Sequence, residues 1–313
     1  MSLRSDIFDK THLEFTRQEW LNFRHDAPMT LTEADLARLQ GQIQTISLTE
    51  VSEIYLPLSR LLSFYVTSTQ ALHQEVEHFL SKSEPRVPYL IGVSGSVAVG
   101  KSVTSRILQA LLSRWPGHPY VQVVTTDCFL YPNAILEARG LMGRKGFPES
   151  YDVATLLNFL MAVKSGKTAV DAPLYSHQTY DILPNEHLVV KKPDILILEG
   201  VNILQTGATN ASPFVSDFLD FSVFVDADSH DIRQWYIDRV VKFSQTSFQD
   251  KKAYFHFLST FSKSRVRAFA EKMWCEINAV NLTENILPTK NRAQLILRKD
   301  KKHAIEMVYL RKL

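Results

Sequence analysis

The sequence predicts an α/β protein with a mostly parallel central sheet flanked by helices, an N-terminal helical extension and a C-terminal β-hairpin. Three observations predict it. Four short apolar runs, at 88–93, 120–125, 194–198 and 221–225, have the length and branched-aliphatic content of buried strands. Segments of helical period separate them, notably 101–115, with apolar side chains at 107, 108, 111 and 112, and 153–164. Alternation of this kind builds a parallel sheet with helices on both faces. Third, residues 95–102, GSVAVGKS, satisfy G-x-x-x-x-G-K-[ST], which needs a strand before it and a helix after it.

The elements follow in order. Residues 1–27 are mixed and dotted with aromatics, with no clear period. Thr30 followed by Glu33 forms a capping-box pattern ahead of ADLARLQ, so the first helix is expected near Thr30. Residues 48–81 read as one long amphipathic helix, bent at Pro57 because proline has no N–H to donate. No Gly- or Ser-rich linker divides this part from the rest. The chain is therefore expected to form a single domain over 1–313, with 1–85 a helical extension packed on a core of 86–313. The stretch from 229 to about 282 is helical again, with a break near 245–251, and the tail QLILRKDKKHAIEMVYLRKL reads as two strands around a charged turn. RKDKK at 298–302 is expected to be solvated.

Composition narrows the function. The chain has 313 residues, 45% hydrophobic and 22% charged, as in an ordinary globular protein. With 35 basic and 33 acidic residues the net charge is +2, which gives no reason to expect nucleic acid or membrane as a partner. Cys128 and Cys275 lie far apart and in no metal-like spacing, as in a reduced cytoplasmic protein. The N-terminus has no apolar leader, and no run of about 18 apolar residues spans a membrane.

The chemistry centres on the glycine-rich loop. Its glycines let backbone N–H groups surround phosphate oxygens, and the next helix directs its positive end at the same anion. Lys101 would reach the β- and γ-phosphates, and the Ser102 hydroxyl would ligate a divalent cation. Later strands end in carboxylates: Asp127, Glu199 and Asp226. Ligands of open α/β sheets sit at such strand ends, where a carboxylate holds a cation or takes a proton from an attacking hydroxyl. Glu199 after DILIL has the Walker-B position; for Asp226 a turn or capping role is the simpler reading. The loop DAPLYSHQTYD at 171–181 could cover an active site. In the helical stretch WYIDRVVKF, Arg239 could stabilise charge on a transferring phosphoryl group. The aromatics from Phe243 to Phe269 are mostly core, with a few lining an apolar pocket.

Taken together, GSVAVGKS, TTDCFLYPN, RKGFPESYD, PLYSHQTYD, PDILILEGVN, WYIDRVVKF and NILPT, in this order and spacing, resemble bacterial type I pantothenate kinase. The resemblance covers about 10–313 and includes LTEADLARLQG and IYLPLSRLL near the N-terminus. It implies a P-loop kinase fold and ATP-dependent phosphorylation of pantothenate to 4′-phosphopantothenate, the first committed step of coenzyme A synthesis. It further implies Mg²⁺ with ATP, a cytoplasmic homodimer and feedback inhibition by coenzyme A. By matching position, Gly95, Ser96, Val97, Ala98, Val99, Gly100, Lys101, Ser102, Val103 and His303 would bind nucleotide, His303 at the adenine. Ser102 and Glu199 would hold the metal. Asp127 would be the base for the pantothenate primary hydroxyl, with Lys101 and Arg239 assisting transfer. Asp127, Tyr175, His177, Tyr180, Tyr236, Arg239 and Asn278 would surround pantothenate; Lys101, Arg106, His177, Phe243, Phe248 and Phe255 would contact coenzyme A.

Three departures from the family pattern stand out. Cys128 replaces a Gly, so the backbone there must avoid strongly positive φ; Val103 replaces a Thr; and Val240 stands where an aromatic is frequent. The alternatives are a related P-loop kinase of uridine or a sugar phosphate, and a nucleotide-dependent switch. A GTP switch would need an [NT]-K-x-D motif, which the sequence lacks.

Overall fold

The four expected apolar runs become neighbouring or near-neighbouring strands of one seven-stranded sheet in this computed structural model, which describes residues 11–40, 46–83, 86–117, 119–206 and 213–313. From edge to edge the order is β1 (His12–Thr16), β9 (Ile305–Arg311), β8 (Leu295–Lys299), β7 (Phe221–Asp226), β2 (Tyr89–Gly95), β6 (Ile195–Glu199) and β3 (Val121–Thr125). The pairs β8–β7, β7–β2, β2–β6 and β6–β3 are parallel; β9 runs antiparallel to β8 and to β1. Every residue of β2, β6 and β7 is buried, as a sheet covered on both faces requires. The C-terminal hairpin is present as expected and extends one side of the sheet, where β1 rather than β9 forms the edge.

The helices follow their apolar periods. They are α1 (Arg17–Leu21), α2 (Glu33–Leu39), α3 (Leu48–Glu50), α4 (Leu56–Leu80), α5 (Lys101–Leu112), α6 (Asn133–Ala138), α7 (Val153–Lys164), α8 (Ser229–Ser244), α9 (Lys263–Met273) and α10 (Ala279–Asn281). Ile107, Leu108, Leu111 and Leu112 of α5 are all buried against the sheet. Asp152 caps α7 by accepting from the Thr155 N–H at 3.0 Å. The N-terminal helices pack on this core: the Tyr55 and Thr104 hydroxyls meet at 3.2 Å in the interior, and the Trp115 indole donates to the Ser59 hydroxyl at 3.3 Å.

Several elements differ from expectation. The helix expected near Thr30 is capped by Thr32 with Asp35 rather than by Thr30 with Glu33, so α2 starts later; Thr32 accepts from the Asp35 N–H at 3.2 Å while Asp35 reaches back to the Thr32 N–H at 2.9 Å. The stretch 48–81 does not simply bend at Pro57. A π-helical turn, Val51–Tyr55, lies between α3 and α4, and the widened turn accommodates the missing proline donor ahead of Pro57. Strand β1 falls inside the stretch read as having no period. The segment 171–181 is not a loop but the first half of a β-ribbon, β4 (Val170–Ser176) and β5 (Asp181–Val190), turning at 177–180. Lys299 is buried within β8, whereas the solvated turn begins only after it. The N-terminal stretch MSLRSDIFDK lies outside the described residues. Among the described residues no helix is long and apolar enough to cross a membrane.

Candidate active site

The parallel strands deliver their carboxyl ends to one edge, and a cavity of about 520 Å³ opens there. Strand β2 leaves the sheet at Gly95, where φ is +140° and a Cβ would meet the Val225 carbonyl oxygen at 2.4 Å; only glycine fits. The loop then curls through Ala98 (φ 61°) and Gly100 (φ 105°), both left-handed, before α5 begins at Lys101. Alternation of this sort turns successive N–H groups to one side and makes an anion cradle, and a non-glycine held in that region is strain kept at a functional loop. Val99 anchors the loop in the core and lies outside the cavity lining, as do Gly95 and Ser96; Val97, Ala98, Gly100, Lys101, Ser102 and Val103 line it.

Lys101 folds back so that Nζ donates to the Ser96 carbonyl at 2.8 Å. Burial lowers its pKa; the Glu199 and Asp127 carboxylates oppose the shift, and Arg239 adds to it. The Arg239 guanidinium is likewise lowered by burial and held up by Tyr236, Asp127 and Glu199. Two cations and two carboxylates from four different elements therefore share one desolvated space, where fixed charges act more strongly than in water. The Ser102 hydroxyl donates to Glu199 Oε1 at 2.6 Å. Glu199 ends β6 and is followed by Gly200, where a Cβ would collide with Thr126 Oγ1 at 2.2 Å.

Asp127 follows β3 in a 3₁₀ turn, Thr126–Phe129, with the Thr125 side chain accepting from its N–H. Cys128 sits in the same turn without a positive φ, so the departure from glycine leaves no backbone strain, and its thiol is buried. Asp226 is a structural residue: it pairs with Lys290 at 3.1 Å and Arg298 at 2.8 Å.

The ribbon β4–β5 brings Tyr175, His177 and Tyr180 to the cavity, and α8 brings Tyr236, Arg239 and Val240. The π-helical turn Trp274–Asn278 brings Asn278, which hydrogen-bonds to Tyr236 and donates to the Met273 carbonyl at 3.3 Å. Burial pushes the Tyr175, Tyr180 and Tyr236 phenols up, so they stay protonated donors. Phe243, Phe248 and Phe255 form a row, with Phe243–Phe248 centroids 5.6 Å and Phe248–Phe255 centroids 5.5 Å apart, and Arg239 lies over Phe243 at 5.3 Å. Arg106 and His303 also line the cavity.

Sequence reading missed Lys145, Tyr151, Trp235 and Asn281, which line the same cavity. Lys145 donates to Asn133 Oδ1 at 2.6 Å and to the Tyr180 carbonyl at 2.5 Å, and lies 4.0 Å from the Tyr180 ring centroid. Burial lowers its pKa to about 8, against the pull of Asp181 and Asp127. Its only signal was membership of RKGFPESYD, a match that carries no role by itself.

A phosphate cradle, a lysine at its rim, a hydroxyl–carboxylate pair and a second carboxylate beside an arginine define a P-loop phosphotransferase. Residues 90–242 match the Phosphoribulokinase / Uridine kinase family. The pantothenate kinase of Coxiella burnetii (strain RSA 331 / Henzerling II) is 60% identical over 318 aligned positions, covering 100% of both chains. That of Sodalis glossinidius is 53% identical over 305 positions, covering 96% of each, and that of Parvibaculum lavamentivorans 54% identical over 303, covering 96% of this chain and 93% of the relative. The chain belongs to the pantothenate kinase family. In fold it is similar to the solved D-glycerate 3-kinase from Cryptococcus neoformans, with TM-score 0.53 and 15% identity over 79% of this chain and 97% of that one.

Proposed function

We propose that the chain transfers the γ-phosphoryl group of ATP to the primary hydroxyl of pantothenate, giving 4′-phosphopantothenate at the entry to coenzyme A synthesis. The observation that carries the proposal is the convergence of Lys101, Asp127, Glu199 and Arg239 on one cavity that also holds Tyr175, Tyr236 and Asn278. The relatives named as pantothenate kinases support this acceptor.

The backbone from Gly95 to Val103 cradles the phosphates, and His303 meets the adenine. Lys101 and Arg239 bear on the charge of the phosphoryl group in transfer. Asp127 accepts the hydroxyl proton as the new O–P bond forms; a primary alcohol is a poor nucleophile without such a base. Tyr175, His177, Tyr180, Tyr236 and Asn278 orient an acceptor that carries an amide and hydroxyls. The Ser102 hydroxyl and Glu199 carboxylate, already 2.6 Å apart, are hard oxygen donors of the kind Mg²⁺ takes. When bound, Mg²⁺ would neutralise phosphate charge.

Coenzyme A inhibits by occupying the same cavity, with Lys101, Arg106 and His177 toward its polar groups and Phe243, Phe248 and Phe255 toward its apolar arm. The chain acts as one domain, 1–85 supporting 86–313, and as a cytoplasmic homodimer. Leu72, Val76 and Phe79 lie exposed on α4, in support of an association through that helix. The test is ATP- and Mg²⁺-dependent formation of 4′-phosphopantothenate by purified protein, with and without coenzyme A. Product suppressed by coenzyme A is expected; ATP binding without product would point to uridine or a sugar phosphate as acceptor.

A further inference from the structure

At one end of the cavity Trp235 and His303 lie ring on ring, with centroids 3.4 Å apart and planes inclined by 24°. Trp235 comes from α8, one turn before Arg239, and is almost wholly buried; His303 comes from the β8–β9 turn and keeps part of its ring open. The turn is tightly built. His303 has a left-handed φ of 69°, and its N–H donates to the Asp300 carbonyl at 3.0 Å. Asp300 Oδ1 accepts from the N–H groups of Lys302 at 2.8 Å and Ala304 at 2.9 Å.

Beneath the turn lies an unusual pair. Lys299 is 1% exposed and Glu50, at the end of α3, is 5% exposed. Lys299 Nζ and Glu50 Oε1 have no hydrogen-bond partner among the described residues, although the two charges interact. Glu50 also accepts from the Ile305 backbone N–H. The pair thus grips the turn on both sides, at 299 and at 305. Desolvating two opposite charges is costly, and here both sit against the ends of the turn that carries His303. Burial and the nearby Lys299 charge together lower the His303 pKa to about 4, so the ring is neutral.

We infer that Trp235 is a positioning residue for the purine base of the nucleotide: it fixes the plane of the His303 ring as a preset stacking surface, and the Glu50–Lys299 pair holds the turn that carries His303. The inference rests on the nucleotide site proposed above. A flat, uncharged ring already stacked on one side presents the base with a surface that needs no ordering on binding.

The experiment compares two probes on the full-length protein by calorimetry: ADP, and inorganic tripolyphosphate, which has no base. Trp235→Leu should weaken ADP by about five- to tenfold while tripolyphosphate changes less than about twofold. Trp235→Phe should regain most of the ADP affinity, and in turnover the KM for ATP should rise more than kcat falls. Lys299→Met should show the same base-selective loss. Equal weakening of both probes, or no weakening of ADP, would overturn the role of Trp235; unchanged ADP binding in Lys299→Met would remove the buried pair from it. Failure of the unmodified protein to bind either probe would overturn the nucleotide site itself.

Discussion

Ser102 donates its hydroxyl proton to Glu199 at 2.6 Å, joining the first turn of the helix after the phosphate loop to the end of a strand 97 residues later. The bond holds together two oxygen ligands that the proposed chemistry needs at one point. Glu199→Gln keeps the shape but loses the charge. It should raise the Mg²⁺ concentration needed for half-maximal rate by about tenfold. A magnesium titration of initial rates decides; an unchanged midpoint removes Glu199 from the metal site.

Lys101 sits desolvated beside two carboxylates and an arginine. Lys101→Met should lower turnover by about 10²–10³-fold or more, because the proposed transfer loses a charge that bears on the phosphoryl group. Its melting temperature should stay within about 4 °C of the parent, since no packed core is lost. Near-normal turnover would sink the assigned role.

Asp127→Asn preserves the volume of the side chain and removes the proposed proton acceptor. We expect kcat to fall by about 10²–10⁴-fold while ADP affinity moves less than about threefold. If kcat holds, another group takes the proton.

Gly200 faces Thr126 so closely that a methyl group would overlap Oγ1. Gly200→Ala should destabilise the protein by about 1–3 kcal/mol. Adding Thr126→Ala should restore part of the loss. Additive effects in urea denaturation would show that the collision is relieved elsewhere.

Lys145 and Lys299 both have pKa values lowered to about 8 from 10.5 by burial. Above pH 8 the folded protein gives up these protons while the unfolded chain still holds them, so folding stability rises with pH toward 9.5. The slope is at most about 1.4 kcal/mol per pH unit for each lysine. Denaturation at pH 7.5, 8.5 and 9.5 measures it, and Lys299→Met should flatten the rise. A flat profile in the unmodified protein would contradict the burial assigned to these ammonium groups.

What was legible in the sequence was local. The phosphate loop, the strands with continuous apolar runs, and the helical period of α7 announce themselves within a dozen residues each. What was not legible depends on distant partners. HLEFT does alternate polar and apolar residues, but only over five positions, and its burial does not follow the pattern, His12 being buried and Leu13 exposed; pairing with β9 makes it a strand. Lys299 looked solvated because its neighbours are charged, yet the β8 register points it inward toward Glu50. Trp235 and Lys145 carry no chemical signature of their own; their place in the cavity follows from packing against His303 and Tyr180. The ribbon at 170–190 hid behind its prolines, tyrosines and histidines, which read as loop chemistry.

The pairing of β1 with β9 sets a condition on how the protein is made. His12 meets Arg311 and Thr16 meets Met307, so almost the whole described chain must be synthesised before this edge can form. A ribosome would release β1 first and leave it waiting, while the loop and strands β2, β3, β6 and β7 assemble. Closing so long a connection costs entropy that only the finished sheet repays, which slows the last step of folding and leaves β9 briefly open to foreign strands. Low temperature or slowed translation should therefore favour soluble protein more than any gain in the stability of the nucleotide-binding core.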